Sequence, residues 1–419
     1  MQTIECHKLE SGLHIVTEKM PGVRTTAVNW TVCAGVATNK HDGDSVLLSE
    51  LVQRGVKYLS AKQHNDALES LGVKRQVTCG IEFFVVSGVM LGSRAVEAIP
   101  LFGEYLMNAT LPEQDLAACK SLCMQSIHSL VDNPARQVGV AINANHHPSP
   151  FNRSAYGDPT SIESASIDRL HRIYKQLFVP DGSILVVAGD VVHKEIVEVV
   201  ERITRGWRGK HSVVSSSKPP SRGVHWIEQD TSQSHIALAF DGPNAGDDGE
   251  LQESIAMSIF GGATSGRLFT QVRQRRSLCY SVSARYASSR DRSVVRIHAG
   301  TTPQRADETV RICLEQLKEL RNGVSRNEFD RAIRRMKSRT VMNGESTSTR
   351  ASTLWSDYYA LGKPKTLADR LREIDGVTFE SVNDWLSDRT LGQGTLVTLG
   401  PNEIEVDDEI FKLSTLKGC

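Results

Sequence analysis

No stretch of this 419-residue chain is apolar for long enough to cross a bilayer. A spanning helix needs roughly 20 consecutive apolar residues, and the longest apolar runs here, such as Phe83 to Val86 and Ile184 to Ala188, are far shorter. Neither sign of charge is in excess, since Lys+Arg and Asp+Glu both number 49. A chain without net charge gives no electrostatic reason to expect nucleic acid or an anionic membrane as its main partner. The local basic run of Arg273, Arg275 and Arg276 reads as a solvated helix face. There is no CxxC pair among the eight cysteines at positions 6, 33, 79, 119, 123, 279, 313 and 419. Nothing in their scatter suggests a disulfide scaffold, which fits a reducing compartment. Cys119 and Cys123, one helical turn apart, read as two buried thiols on an amphipathic helix. The opening MQTIECHKLESGLHIVTEKM has no basic start, apolar core and small-residue cleavage site, so the expected location is the cytoplasm.

What is present is ordinary for a globular protein: 39% hydrophobic and 23% charged residues. The length suffices for two or more domains with a sizeable core. One segment reads as a linker. Residues 212–222, SVVSSSKPPSR, combine a serine cluster with a Pro-Pro pair and cannot build a packed element. The expected organisation is an N-terminal domain over 1–211, this linker, and a C-terminal domain over 223–419.

The halves resemble each other. The first ends in an amphipathic helix from Ile167 to Leu177 and the apolar run Gly182-Ser-Ile-Leu-Val-Val-Ala-Gly189. The second ends in a helix from Phe379 to Leu386 and Gly394-Thr-Leu-Val-Thr-Leu-Gly400. The same order of elements at both ends points to duplication. Ser325 and Glu328 form a capping box ahead of Phe329, Ile333 and Met336 at helical spacing. Strands are expected over Val28 to Ala34, Phe83 to Met90, His235 to Phe240 and Val294 to His298. Helices and strands mix without strict alternation, which predicts an α+β fold: two homologous halves, each a largely antiparallel sheet packed with helices.

Several stretches carry a family resemblance. They are GLHIVTEKMPG from Gly12, TVCAGVAT, SVLLSELVQRG, YGDPTSIESASIDRLHRIYKQLFVPDGSILVVAGDV, and SIFGGATSGRLFTQVRQRRSLCYSV. Over nearly its whole length the chain resembles the M16 metallopeptidases, in particular the mitochondrial processing peptidase group and its bacterial relatives. The resemblance implies the M16/LuxS-like metallohydrolase fold. Active members carry HxxEH on a helix, where two histidines on one face bind zinc and the glutamate polarises water. A glutamate on a later helix is the third ligand. Aligned on that pattern, Val46 stands at the first histidine, Ser49 at the catalytic glutamate, Glu50 at the second histidine and Ser126 at the third ligand. No HxxEH or HxxxH pair occurs elsewhere. No metal and no cofactor are therefore expected in this chain, and zinc is expected in a partner subunit. Glu50 by itself reads as a solvated or capped carboxylate, and His128, His146 and His147 as surface or structural histidines.

A second family feature is retained. The resemblance implies that an arginine and a tyrosine seven residues apart, here Arg273 and Tyr280, reach toward the substrate. A guanidinium can fork onto a peptide carbonyl, and a phenol can donate to an oxyanion. Spacing alone leaves Arg273 equally readable as a helix-surface residue and Tyr280 as a core residue sharing a face with Leu278 and Val282. Gly261 and Gly262 open the glycine-rich Phe260–Gly266 segment before a helix expected from Arg267 to Arg276. That segment is either a substrate-handling loop or a tight turn. The implied function is a non-catalytic subunit that pairs with an HxxEH-bearing homologue as a heterodimer and handles a peptide substrate. The alternative is a peptidase-derived structural scaffold with no part in cleavage.

Overall fold

The computed structural model describes residues 3–262 and 264–406. Cys419 and Ala263 of the glycine-rich segment fall outside the described residues.

The first half builds a six-stranded sheet from β1 (Thr3–Lys8), β2 (His14–Lys19), β3 (Thr25–Val32), β4 (Lys74–Cys79), β5 (Phe84–Leu91) and β6 (Ile184–Gly189). Its order is β1-β2-β6-β3-β5-β4, antiparallel throughout except for the β2/β6 pair. Every residue of β6 is buried, as its unbroken apolar sequence requires of a strand covered on both faces. Among the helices that accompany this sheet are α1 (Asp44–Leu51), α2 (Ala95–Met107), α3 (Leu116–Val131), α4 (Pro134–His146), α5 (Ile167–Leu177) and α6 (His193–Ile203). All but α4 contribute to the core on its inner face, centred on Trp30, Phe84 and Phe102.

The second half repeats the plan with β7 (Gly223–Glu228), β8 (Ser234–Asp241), β9 (Cys279–Ala287), β10 (Val294–Thr301) and β11 (Thr395–Gly400). Read from β7, the order is β7-β11-β8-β10-β9, with only β7/β11 parallel. Strand for strand this is the order β2-β6-β3-β5-β4 of the first sheet. Its helices include α7 (Glu250–Gly261), α8 (Ala306–Glu319), α9 (Arg326–Glu345), α10 (Thr347–Leu361) and α11 (Phe379–Asp388). The capping box at α9 is formed as the sequence predicts, with Ser325 and Glu328 bonded reciprocally. Residues 212–222 contain no helix or extended strand.

The outer face of each sheet is covered by a helix from the other half. Helix α4 lays Val138 and Ile142 on Ala237, Ala239, Val397 and Leu399 of the second sheet. Helix α10 lays Ala351 and Leu354 on Val16, Ala27, Val186 and Ala188 of the first. Polar pins lock the exchange. At the end of α4, buried His146 meets Thr395 Oγ1 at 2.9 Å through Nδ1 and Asp241 at 3.3 Å through Nε2. Arg222 donates two hydrogen bonds to the same Asp241. His146 is thus a structural histidine, while His128 is exposed. Among the described residues no helix is long and apolar enough to cross a membrane.

Candidate functional site

Helix α1 carries the positions at which an HxxEH motif would stand. Asp44 in its first turn is buried, and Arg169 of α5 donates to it at 3.1 and 2.8 Å. Burial pushes the Asp44 carboxyl up, and Arg169 opposes that shift. Leu47, Leu48 and Leu51 anchor the helix in the core. Val46 is half-buried against the same core. Ser49 is buried, and its hydroxyl donates to the Val46 carbonyl of its own helix at 2.7 Å.

Glu50 faces α3. There it opposes ionisation of Cys119 and Cys123, whose thiols burial already pushes up, that of Cys123 to about 12. Both cysteines are buried. Ser126 is exposed, and its hydroxyl donates to the Leu122 carbonyl at 3.0 Å. Of the four aligned positions only Glu50 offers a good metal-binding group. Among the described residues no three His, Cys, Asp or Glu side chains are grouped to hold a metal ion. A protein zinc site takes three or four converging donors, so this donor set does not fit zinc.

The retained pair lies in the second half, around the end strand β9. The helix expected from Arg267 to Arg276 is present over residues 267–274, but most of it is not α-helical. Phe269–Gln274 is a π-helical turn, with the Arg275 amide reaching the Thr270 carbonyl five residues back. Such turns are rare and concentrate at functional sites. Val272 points into the core while Arg273 is exposed, its guanidinium 4.9 Å from the Phe269 ring centre.

Tyr280 does not belong to the core. The β9/β10 pairing steps from Cys279 opposite Thr301 to Ser281 opposite Gly300, so Tyr280 is the extra residue of a bulge. Regular alternation would have put Tyr280 on one face with Leu278 and Val282. The bulge breaks that alternation, and the ring is 60% exposed while Leu278 and Cys279 stay buried.

Arg273, Gly261 and Gly262 line one open cleft of about 700 Å³, which runs beside residues 281–286 of β9 and the inner half of α9. Tyr280 is not among its lining residues and stands at the start of the strand. Gly261 is the last residue of α7 rather than part of a loop. A Cβ there would lie 2.2 Å from the Ala284 backbone nitrogen, so glycine is what lets α7 touch β9. The cleft also takes in Arg335 and Arg339 of α9, which sequence reasoning passed over. Their four-residue spacing on a helix was the available signal.

A sequence model of the peptidase M16 inactive domain matches residues 164–336. The uncharacterized zinc protease YmxG of Bacillus subtilis is 25% identical over 390 residues, covering 91% of this chain and 94% of that protein. An uncharacterized zinc protease of Streptomyces coelicolor is 23% identical, covering 95% of this chain and 90% of its own. Residues 164–336 thus match the peptidase M16 inactive domain, and over nearly its whole length the chain is similar to uncharacterized bacterial zinc proteases. Two solved structures share its fold. A peptidase M16 inactive domain from Pseudomonas fluorescens superposes with a TM-score of 0.85 at 19% identity, over 96% of this chain and 99% of that one. A protease from Helicobacter pylori gives 0.85 at 17%, over 96% and 100%. The M16 fold therefore accounts for the whole described chain, including the two repeated sheets.

Proposed function

We propose that this M16 chain is a non-catalytic subunit of a zinc peptidase, supplying substrate-handling residues to an HxxEH-bearing homologue in a heterodimer. The observation that carries the reading is a contrast within one chain. The four aligned metal-site positions offer a single carboxylate, Glu50, beside Val46, Ser49 and a self-satisfied Ser126. The Arg273 and Tyr280 side chains are both exposed, and neither has a carboxylate partner among the described residues.

Each residue has a definite task in this scheme. Arg273 offers a forked pair of N–H donors to a peptide carbonyl. The Tyr280 hydroxyl donates to the carbonyl oxygen as negative charge develops on it. The partner contributes the metal and the general base. The cytoplasm is the compartment that the cysteine usage favours.

Reconstitution tests the reading. The purified chain is mixed with an M16 homologue that carries HxxEH, and hydrolysis of an unfolded peptide is followed. The expected outcome is no cleavage by this chain and a marked gain when both are present. Equal activity of the homologue with and without this chain would favour the structural scaffold instead.

A further inference from the structure

Several half-buried arginines of this protein have carboxylates opposite them. Arg267 pairs with Glu328, Arg292 with Glu82 and Arg169 with Asp44. The cleft beside β9 departs from that habit. Arg273, Arg285, Arg335 and Arg339 all line it, and no Asp or Glu does. Among the described residues none of the four pairs with a carboxylate. Arg335 donates from Nη2 to the Ser258 carbonyl at 2.7 Å, while its Nε is shielded from solvent without a partner. Burial, then the like charges of Arg339 and Arg331, hold the Arg335 guanidinium below its ordinary value. Like charges gathered without counterions raise the free energy of the protein, and a bound anion offsets that.

The shape favours an extended chain over a compact anion. The cleft is open, holds about 700 Å³ and follows β9, the end strand of its sheet. Arg335 and Arg339 are one helical turn apart, about 6 Å along the axis of α9. Side chains on one face of an extended peptide recur at about 6.7 Å. A row of guanidinium groups at that pitch matches alternate acidic side chains. A single phosphate is better served by donors converging on one point.

We infer that the cleft lined by Arg273, Arg335 and Arg339 binds an acidic segment of a peptide, of the type Glu-x-Glu, laid along β9. The inference rests on the reading of this chain as a peptide-handling subunit, and it names the class of peptide. Each carboxylate accepts forked hydrogen bonds from one guanidinium, which is the strong geometry for this pair.

The test uses the full chain without any partner, so it is independent of the reconstitution above. Fluorescence anisotropy compares short labelled peptides carrying Glu-x-Glu or Gln-x-Gln in otherwise identical sequences. The Glu peptide is expected to bind about tenfold tighter at low salt, the size of one good charge-assisted pair. The doubly substituted Arg335→Gln/Arg339→Gln chain should bind the two peptides equally. Arg339 is exposed, so Arg339→Gln by itself, with an unchanged melting temperature, serves where the double variant folds poorly, and it should cut the preference by at least half. Equal affinity of the unsubstituted chain for both peptides overturns the inference. So does an acid preference that survives in the variants. Inorganic phosphate or tripolyphosphate bound without any Glu preference would assign the cleft to a small anion instead. A Glu preference without activation of an HxxEH homologue would keep this site and remove the catalytic partnership.

Discussion

Arg350 of α10 donates two hydrogen bonds of 2.7 Å to the carboxylate of Glu18 on β2, across 332 positions of sequence. The two side chains are 3% and 0% exposed. This pair joins the second half of the chain to the outer face of the first half's sheet. It belongs to the same exchange that puts α4 on the second sheet.

Breaking that pair should be costly because the survivor would be a buried, unpaired charge. Arg350→Ala is expected to destabilise the protein by about 3–5 kcal/mol. The double replacement Glu18→Leu/Arg350→Leu should recover a large part of the loss, since it leaves no orphaned charge. Urea unfolding of the single and double variants provides the check. An Arg350→Ala loss within experimental error would mean that α10 is held by its apolar contacts without help from the ion pair.

Tyr280→Phe removes one hydroxyl from a largely exposed ring, so folding should be untouched. If the hydroxyl stabilises an oxyanion in the reconstituted complex, turnover should fall roughly a hundredfold. Arg273→Ala should lower turnover as well and raise KM, because it deletes a forked donor. Gel filtration of the mixed chains establishes that the complex still assembles. Mutant complexes that form and cleave at the unsubstituted rate would assign both residues a structural role.

Metal analysis addresses the first half. After dialysis against a weak chelator the chain should hold far less than one zinc per molecule, since a stable site takes three or four donors and α1 offers Glu50. Glu50→Ala should leave the metal content unchanged. One tightly bound zinc that disappears in this variant would show that the aligned positions recruit donors from elsewhere.

Acid stability should depend on His147. Burial, followed by the charges of His146, Arg296, Arg292 and Arg222, lowers its value from about 6.5 to about 4. A histidine depressed in the folded state is protonated first in the unfolded chain. Its contribution is therefore intact above pH 6.5 and is lost as the pH falls from 6.5 toward 4. Melting temperatures measured across that window should fall, and His147→Gln should flatten the decline. Asp241, next to the same joint, is held down at about 2, against the pull of its own burial, by bonds from His146 and Arg222. Its effect therefore appears only at lower pH. An unchanged slope in His147→Gln would assign the acid sensitivity to the other buried histidines.

The sequence by itself determined what depends on residues adjacent in the chain. Strands β6 and β11 are legible because a strand buried on both faces is predominantly apolar, with at most a small hydroxyl such as Thr395 or Thr398 in β11, and both end at glycine. The capping box of α9 is legible because its two residues satisfy each other locally. The poverty of α1 in metal donors is legible because the family motif sits within five consecutive residues. Tertiary structure decided the rest, since each remaining feature depends on which distant segment lies opposite. The exposure of Tyr280 follows from a bulge that exists only against β10. The exchange of α4 and α10 between sheets depends on apolar faces whose partners lie in the other half. Arg273, Arg335 and Arg339 become one cationic cleft only when α9 packs on α7 across from β9, because a charge pattern along a helix does not record which strand it will face.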